Sequence, residues 1–146
     1  MDAIRKAKEQ DIIELCAIEK ACFKYDILSK KSLRNFINHK HHLFLVAEHD
    51  KKIAGYLITL INSRHKMARH YSLAVLPQYR GQSIGKKLLL ASESYITSKQ
   101  GIKLEVHVEN KPAQDLYRSM GFSFSKIKIG YYEDSSNAIE MIKFFN

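Results

Sequence analysis

Apolar residues along this 146-residue chain fall into two rhythms. At residues 71–75, Tyr71, Leu73 and Val75 alternate with Ser72 and Ala74; at 102–108, Ile102, Leu104, Val106 and Val108 alternate with Lys103, Glu105 and His107. A period of two predicts strands, and it puts Glu105 on the side away from the apolar face. Apolar runs at 43–48 and 52–61, parted by His49, Asp50 and Lys51, predict an antiparallel hairpin. Residues 3–7, 122–129 and 138–145 read as further strands, the last two joined by the segment 130–137.

The second rhythm is helical. Ile12, Ile13, Leu15, Cys16, Ile18, Ala21 and Cys22 mark a first helix over 10–23. Ser29 is placed to cap a second, whose Leu33, Phe36 and Ile37 recur at three and four residues. A third carries Ile84, Leu88, Ala91 and Tyr95, joined by Leu89 and Leu90, and is expected to end at Gly101. Asn110 and Pro112 open a fourth of about ten residues, which Gly121 closes. Strands and helices interleave without a repeat or linker, so residues 1–146 read as a single α/β domain.

Composition removes several classes of function. The charged N-terminus does not read as a signal peptide, and the longest apolar stretch, residues 53–61, is too short to span a bilayer. These point to a cytoplasmic protein with no membrane partner. Cys16 and Cys22 lie six apart on different faces of one helix and read as buried, reduced thiols. His39, His41 and His42 lack further ligands at metal-binding spacing and read as a solvated loop, so no metal is expected. The formal charge of +9 is spread over every element with no zinc-finger or RNA-binding signature, which fits a solvated basic surface and not a nucleic acid partner.

Residues 77–90 carry the candidate chemistry. A basic loop with Gly81 and Gly85 runs from a strand into a helix, whose first N–H groups and positive dipole end suit phosphate oxygens. A Walker A loop needs four residues between its glycines, followed by Lys and then Ser or Thr; here three intervene and Lys87 stands at the hydroxyl position. A dinucleotide fingerprint needs three glycines in a parallel sheet, whereas the preceding strands read as antiparallel.

Arg80, Gly81, Ile84 and Gly85, after Leu73, Ala74, Val75 and a proline, resemble the acetyl-coenzyme A loop Q/R-x-x-G-x-G/A of the GNAT N-acetyltransferase superfamily. Ser83 replaces the middle glycine; a serine with negative φ would be accommodated there, its hydroxyl capping the helix or donating to phosphate. Asn110, Ala113, Leu116, Tyr117, Gly121 and Phe122 resemble the family's second motif, and the likeness extends over essentially the whole chain. Within the superfamily the chain is similar to the ribosomal-protein-alanine N-acetyltransferase group, notably at Gly130, Tyr131, Tyr132, Glu133 and Asp134.

The resemblance implies a GNAT fold: a mostly antiparallel sheet of six to seven strands, splayed at its centre and flanked by about four helices. It implies acetyl-coenzyme A as cosubstrate, held by Leu73, Ala74, Val75, Arg80, Gly81, Gln82, Ser83, Ile84, Gly85, Lys86, Asn110, Ala113 and Tyr117. Glu105 would serve as general base and Tyr117 as the acid that protonates sulfur, with Tyr25, Asp26, Tyr131 and Tyr132 at the acceptor. The implied reaction is direct transfer of acetyl to a primary amine in a ternary complex. The acceptor is a protein N-terminus, a ribosomal protein among the candidates, and the enzyme a monomer or homodimer. A small-molecule amine acetyltransferase, or a non-catalytic coenzyme A sensor or ribosome-binding module, are the alternatives.

Overall fold

The computed structural model describes residues 2–146. Seven strands, β1 (Asp2–Lys6), β2 (Leu43–His49), β3 (Lys52–Leu60), β4 (Met67–Val75), β5 (Gly101–His107), β6 (Ser123–Lys128) and β7 (Ala138–Phe144), form one sheet in the order β1-β2-β3-β4-β5-β7-β6. Helices α1 (Ile12–Cys22), α2 (Lys30–Asn38), α3 (Ile84–Glu93) and α4 (Lys111–Ser119) flank it. All neighbouring strands are antiparallel except β4 and β5.

Each face of the sheet has its own core. Leu15 and Ile18 of α1 and Leu33 of α2 pack with Phe44, Val46, Tyr56 and Ile58 on one side. On the other, Ile84, Leu88 and Leu89 of α3 and Tyr117 of α4 pack with Leu57, Ile102, Leu104 and Val106. Helix starts follow local chemistry: the Ser29 hydroxyl accepts from Ser32 N at 3.0 Å, and Asn110 Oδ1 accepts from Ala113 N at 3.2 Å. Arg5 grips both carboxylate oxygens of Asp11 at 2.8 and 2.9 Å, fixing β1 against the entry to α1.

Several expectations need correction. The third central strand begins at Met67, not Tyr71, because Tyr71 is an extra residue: Ile58 pairs with Ser72, and Thr59 with His70. That bulge breaks the alternation that would have shown the strand's first half. Helix α3 ends at Glu93, so Tyr95 lies beyond it and is 49% exposed, while Leu90 is 52% exposed and the buried residue is Ile96. Gly101 is not a helix stop; it opens β5 where a Cβ would sit 2.3 Å from the Lys143 carbonyl oxygen, so only glycine fits. Cys16 and Cys22 are free thiols, but half-buried.

The consequential feature is the seam between β4 and β5. Their parallel ladder pairs Met67 with Gly101 and continues only as far as His70 with Leu104. Beyond that, β4 stays paired to β3 as far as Val75 and β5 stays paired to β7 as far as His107, so the two central strands part.

Candidate active site

The parted seam opens beside the basic loop. After β4, a short 3-10 turn over Pro77–Tyr79 leads through Gly81, at φ +81°, to Ser83 and α3. The first main-chain bond into α3 runs from Lys87 N to Ser83 O at 3.0 Å, leaving the N–H groups of Ile84, Gly85 and Lys86 ahead of it, where a helix presents free donors. Gly81, Gln82, Ser83 and Lys86 are exposed around this end, and nothing stands within 4 Å of where a Cβ on Gly81 would lie. This cradle fits a pyrophosphate.

Ser83 departs from expectation. Its φ of +62° and ψ of 22° place it in the left-handed region, and its hydroxyl does not cap α3. The motif position therefore needs glycine for its backbone angle, and serine occupies it at a cost of about 1–2 kcal/mol in strain. Arg80 also differs in detail: its Nε donates to the Val75 carbonyl at 3.0 Å, tying the loop to the last residue of β4. Ile84 is buried in the core, so only its main chain faces the loop, and Leu73 and Val75 likewise pack inward beside it. Asn110 caps α4, and Ala113 is half-buried behind it.

Tyr117 is buried in the core on the α3–α4 side of the sheet, its ring edge-on to Phe122 at 5.8 Å. Its hydroxyl makes no hydrogen bond with another described residue, and burial pushes its pKa up to about 12. It remains a protonated phenol across the physiological range, the state a proton donor requires.

Glu105 faces the opposite side of the sheet, in a constellation the sequence reading did not assemble. Arg69 of β4 reaches across the seam, its Nε donating to Oε1 at 2.8 Å, while Lys128 Nζ donates to Oε2 at 2.8 Å. Lys128 also lies 3.6 Å from Glu140, the cross-strand partner of Glu105. Burial pushes the Glu105 carboxyl up, but the bonds and charges of Lys128 and Arg69 outweigh it and hold the group below the usual carboxylate range. Arg69 and Lys128 had no motif to mark them; only the sheet order β4-β5-β7-β6 brings them to Glu105, Lys128 reaching across β7.

The loop between β6 and β7 closes on this carboxylate. From the β6–β7 connection, the Tyr131 hydroxyl donates to Glu105 Oε1 at 3.3 Å and accepts from Arg69, and Tyr132 stands perpendicular to Tyr131 and stacks on His107 at 5.3 Å. The α1–α2 connection carries Tyr25, 45% exposed, and Asp26; burial, and after it the charges of Tyr131, Glu105, Tyr117 and Asp26, push the half-buried Tyr132 phenol up. Among the described residues no group of His, Cys, Asp and Glu could hold a metal ion. His39 Nδ1 accepts from the amides of His41 and His42, and its ring stacks on His42 at 3.8 Å, so that segment is an ordered turn and not merely a solvated loop.

Glu105 and Tyr117 thus approach the open seam from opposite faces of the sheet, with the phosphate cradle at one end. The chain's residues 4–144 match the acetyltransferase (GNAT) domain, and the protein belongs to that family of acetyltransferases. It is 35% identical over 143 residues to an uncharacterised N-acetyltransferase of Methanocaldococcus jannaschii, covering 96% of this chain and 90% of that one. A Bacillus subtilis protein provisionally named ribosomal protein bS18-alanine N-acetyltransferase is 29% identical over 136 residues, covering 91% and 88%. The crystal structure of the ribosomal-protein-S18-alanine N-acetyltransferase from Escherichia coli superimposes with a TM-score of 0.87 at 26% identity, over 99% of this chain and 94% of that one. The activity is transfer of an acetyl group to an amine, on the expected seven-stranded GNAT fold. No helix among the described residues is long and apolar enough to cross a membrane.

Proposed function

We propose that this enzyme acetylates a protein N-terminal amine, with acetyl-coenzyme A bound along the seam between β4 and β5. It acts in the cytoplasm as a single domain. The observation that carries the reading is the parting of these strands beyond His70 and Leu104, with Glu105 on one side and Tyr117 on the other. Acetyl-coenzyme A supplies the acetyl group as an activated thioester.

The N–H groups at the start of α3, with Lys86, hold the pyrophosphate, and the unpaired edge of β4 at Leu73, Ala74 and Val75 aligns the amide-bearing arm as an added strand would be aligned. Glu105, already ionised, takes the proton released by the attacking amine through a water. Tyr117 gives its phenolic proton to the departing sulfur. Tyr25, Asp26, Tyr131 and Tyr132 border the groove through which the amine enters, their rings offering apolar faces and their hydroxyls polar tips. The named acceptor of the Escherichia coli structural neighbour, the alanine of ribosomal protein S18, supports a peptide acceptor here.

Coenzyme A release, followed over peptides beginning with alanine, serine or methionine and over spermidine and free amino acids, tests this. Peptides are expected to turn over, with the acetyl group located on the α-amine by mass spectrometry. Turnover confined to spermidine or amino acids would move the enzyme to small-molecule acceptors. Coenzyme A binding without turnover of any of them would overturn the enzymatic reading of the site.

A further inference from the structure

Helix α1 carries a carboxylate that the chemistry above does not use. Glu19, in the last turn of the helix, is 1% exposed, and among the described residues no cation pairs with it. Its Oε1 accepts from the main-chain N–H of Leu28 at 2.7 Å. Its Oε2 accepts from the Tyr56 hydroxyl of β3, and the Tyr56 oxygen in turn lies 2.9 Å from Ser72 Oγ of β4. The single phenolic proton goes to Glu19, so the Ser72 hydroxyl is the donor to Tyr56.

We propose that Glu19 is a positioning residue that latches the acceptor loop, residues 23–29, to the parted stretch of β4. The inference rests on the reading that this loop, through Tyr25 and Asp26, borders the acceptor groove. The placement supports it. Leu28 is the last residue before the Ser29 cap of α2, and the loop leaves α1 at Phe23, whose N–H is held by Glu19 O at 3.0 Å. One residue therefore fixes both ends, by its carbonyl and its side chain. Between them Tyr25 and Ile27 are exposed and Asp26 turns at φ +56°. Ser72, at the other end of the chain of bonds, is two residues past the last β4–β5 pair, on the face that carries Arg69.

A buried acid without a cation is a costly way to fill a core, and an apolar residue of similar volume would pack there without that penalty. Burial pushes the Glu19 carboxyl up, in line with that cost. What an apolar residue would lack is an acceptor for the Leu28 amide and for Tyr56.

The test uses the intact enzyme, a hexapeptide with N-terminal alanine and acetyl-coenzyme A. Glu19→Leu is expected to speed amide exchange at Leu28 at least about 10-fold and to raise KM for the peptide at least about 5-fold, with kcat and KM for acetyl-coenzyme A within about 2-fold. Glu19→Gln is expected to retain wild-type values, because its oxygen still accepts from Leu28 and its amide donates to Tyr56, whose proton turns to Ser72. Tyr56→Phe, which keeps the ring, is expected to speed Leu28 exchange and raise the peptide KM even if Glu19→Leu does not fold. Unchanged Leu28 exchange in the variants, or a Gln variant as impaired as Leu, would overturn the latch. So would KM values for both substrates that rise together. Failure of the wild type to acetylate the peptide would instead overturn the acceptor reading, and Leu28 exchange would still decide the latch.

Discussion

His70 gives a prediction whose size can be worked from its surroundings. The imidazole sits on β4 and is 6% exposed; Nδ1 shares a 2.9 Å hydrogen bond with Thr59 Oγ1, and Nε2 is buried without a hydrogen-bond partner among the described residues. Burial, and then the charge of Lys143, lower its pKa from 6.5 to about 3. The folded protein therefore leaves His70 neutral where the unfolded chain protonates it. Because the folded value is the depressed one, the contribution to stability is intact above pH 6.5 and is lost as pH falls toward 3. Between those limits the unfolded state holds one more proton at this site, so stability falls by about 1.4 kcal/mol per pH unit, or about 2 kcal/mol from pH 6.5 to 5. His70→Asn keeps a polar atom near the Nδ1 position and removes the titration. Urea unfolding of both proteins from pH 8 to 5 should show wild type losing about 2 kcal/mol relative to the variant below pH 6.5. Taking the difference cancels Glu19, which works in the opposite direction, and His42, which works in the same one. Stability curves that stay parallel through this range would refute the account of a buried, neutral imidazole.

Three further outcomes follow from the site. Ser83→Gly should stabilise the protein by about 0.5 kcal/mol in thermal unfolding, while Ser83→Val, with a branched chain at positive φ, should cost about 1–2 kcal/mol; the reverse ranking would contradict the left-handed backbone there. Tyr117→Phe should lower kcat at least about 10-fold with coenzyme A affinity nearly unchanged, since only the proton is removed; unchanged turnover would take Tyr117 out of the mechanism. Glu105→Gln should also lower kcat at least about 10-fold, but the wild-type pH–rate profile between pH 6 and 9 should keep its shape, because Glu105 is ionised throughout and the acceptor amine sets the slope. An acidic limb near pH 6 that vanishes in the variant would show that Arg69 and Lys128 do not hold the carboxylate ionised.

Legibility in the sequence followed the range of the interaction. Ile102, Leu104 and Val106 announce a strand by strict alternation, and Ser29 and Asn110 announce helix starts through a side chain that bonds three residues ahead. Both signals are local. The bulge at Tyr71 hid the first half of β4, since one extra residue shifts the period of every position after it. Gly101 looked like a helix stop because its real constraint, the Lys143 carbonyl, is more than forty residues away. The glycine-loop motif marked the cradle, but the backbone angle of Ser83 is set by the turn and not by the serine. Arg69 and Lys128 meet Glu105, and Glu19 meets Tyr56, across more than twenty residues of chain, and no spacing rule could have paired them.

The interrupted seam can also be viewed as a crack. In a continuous sheet, load is shared along the full length of each ladder; here the central one ends after four residue pairs, and any force that spreads β4 from β5 concentrates at its last pair, His70 with Leu104. The Arg69–Glu105 pair spans the two sides immediately there, as a rivet placed at a crack tip stops it from running. In the proposed mechanism one carboxylate thereby serves as fastener and reagent together. Substitutions that remove both of its oxygens should loosen the opening as well as the chemistry, whereas Gln, which keeps one, leaves part of the fastening in place.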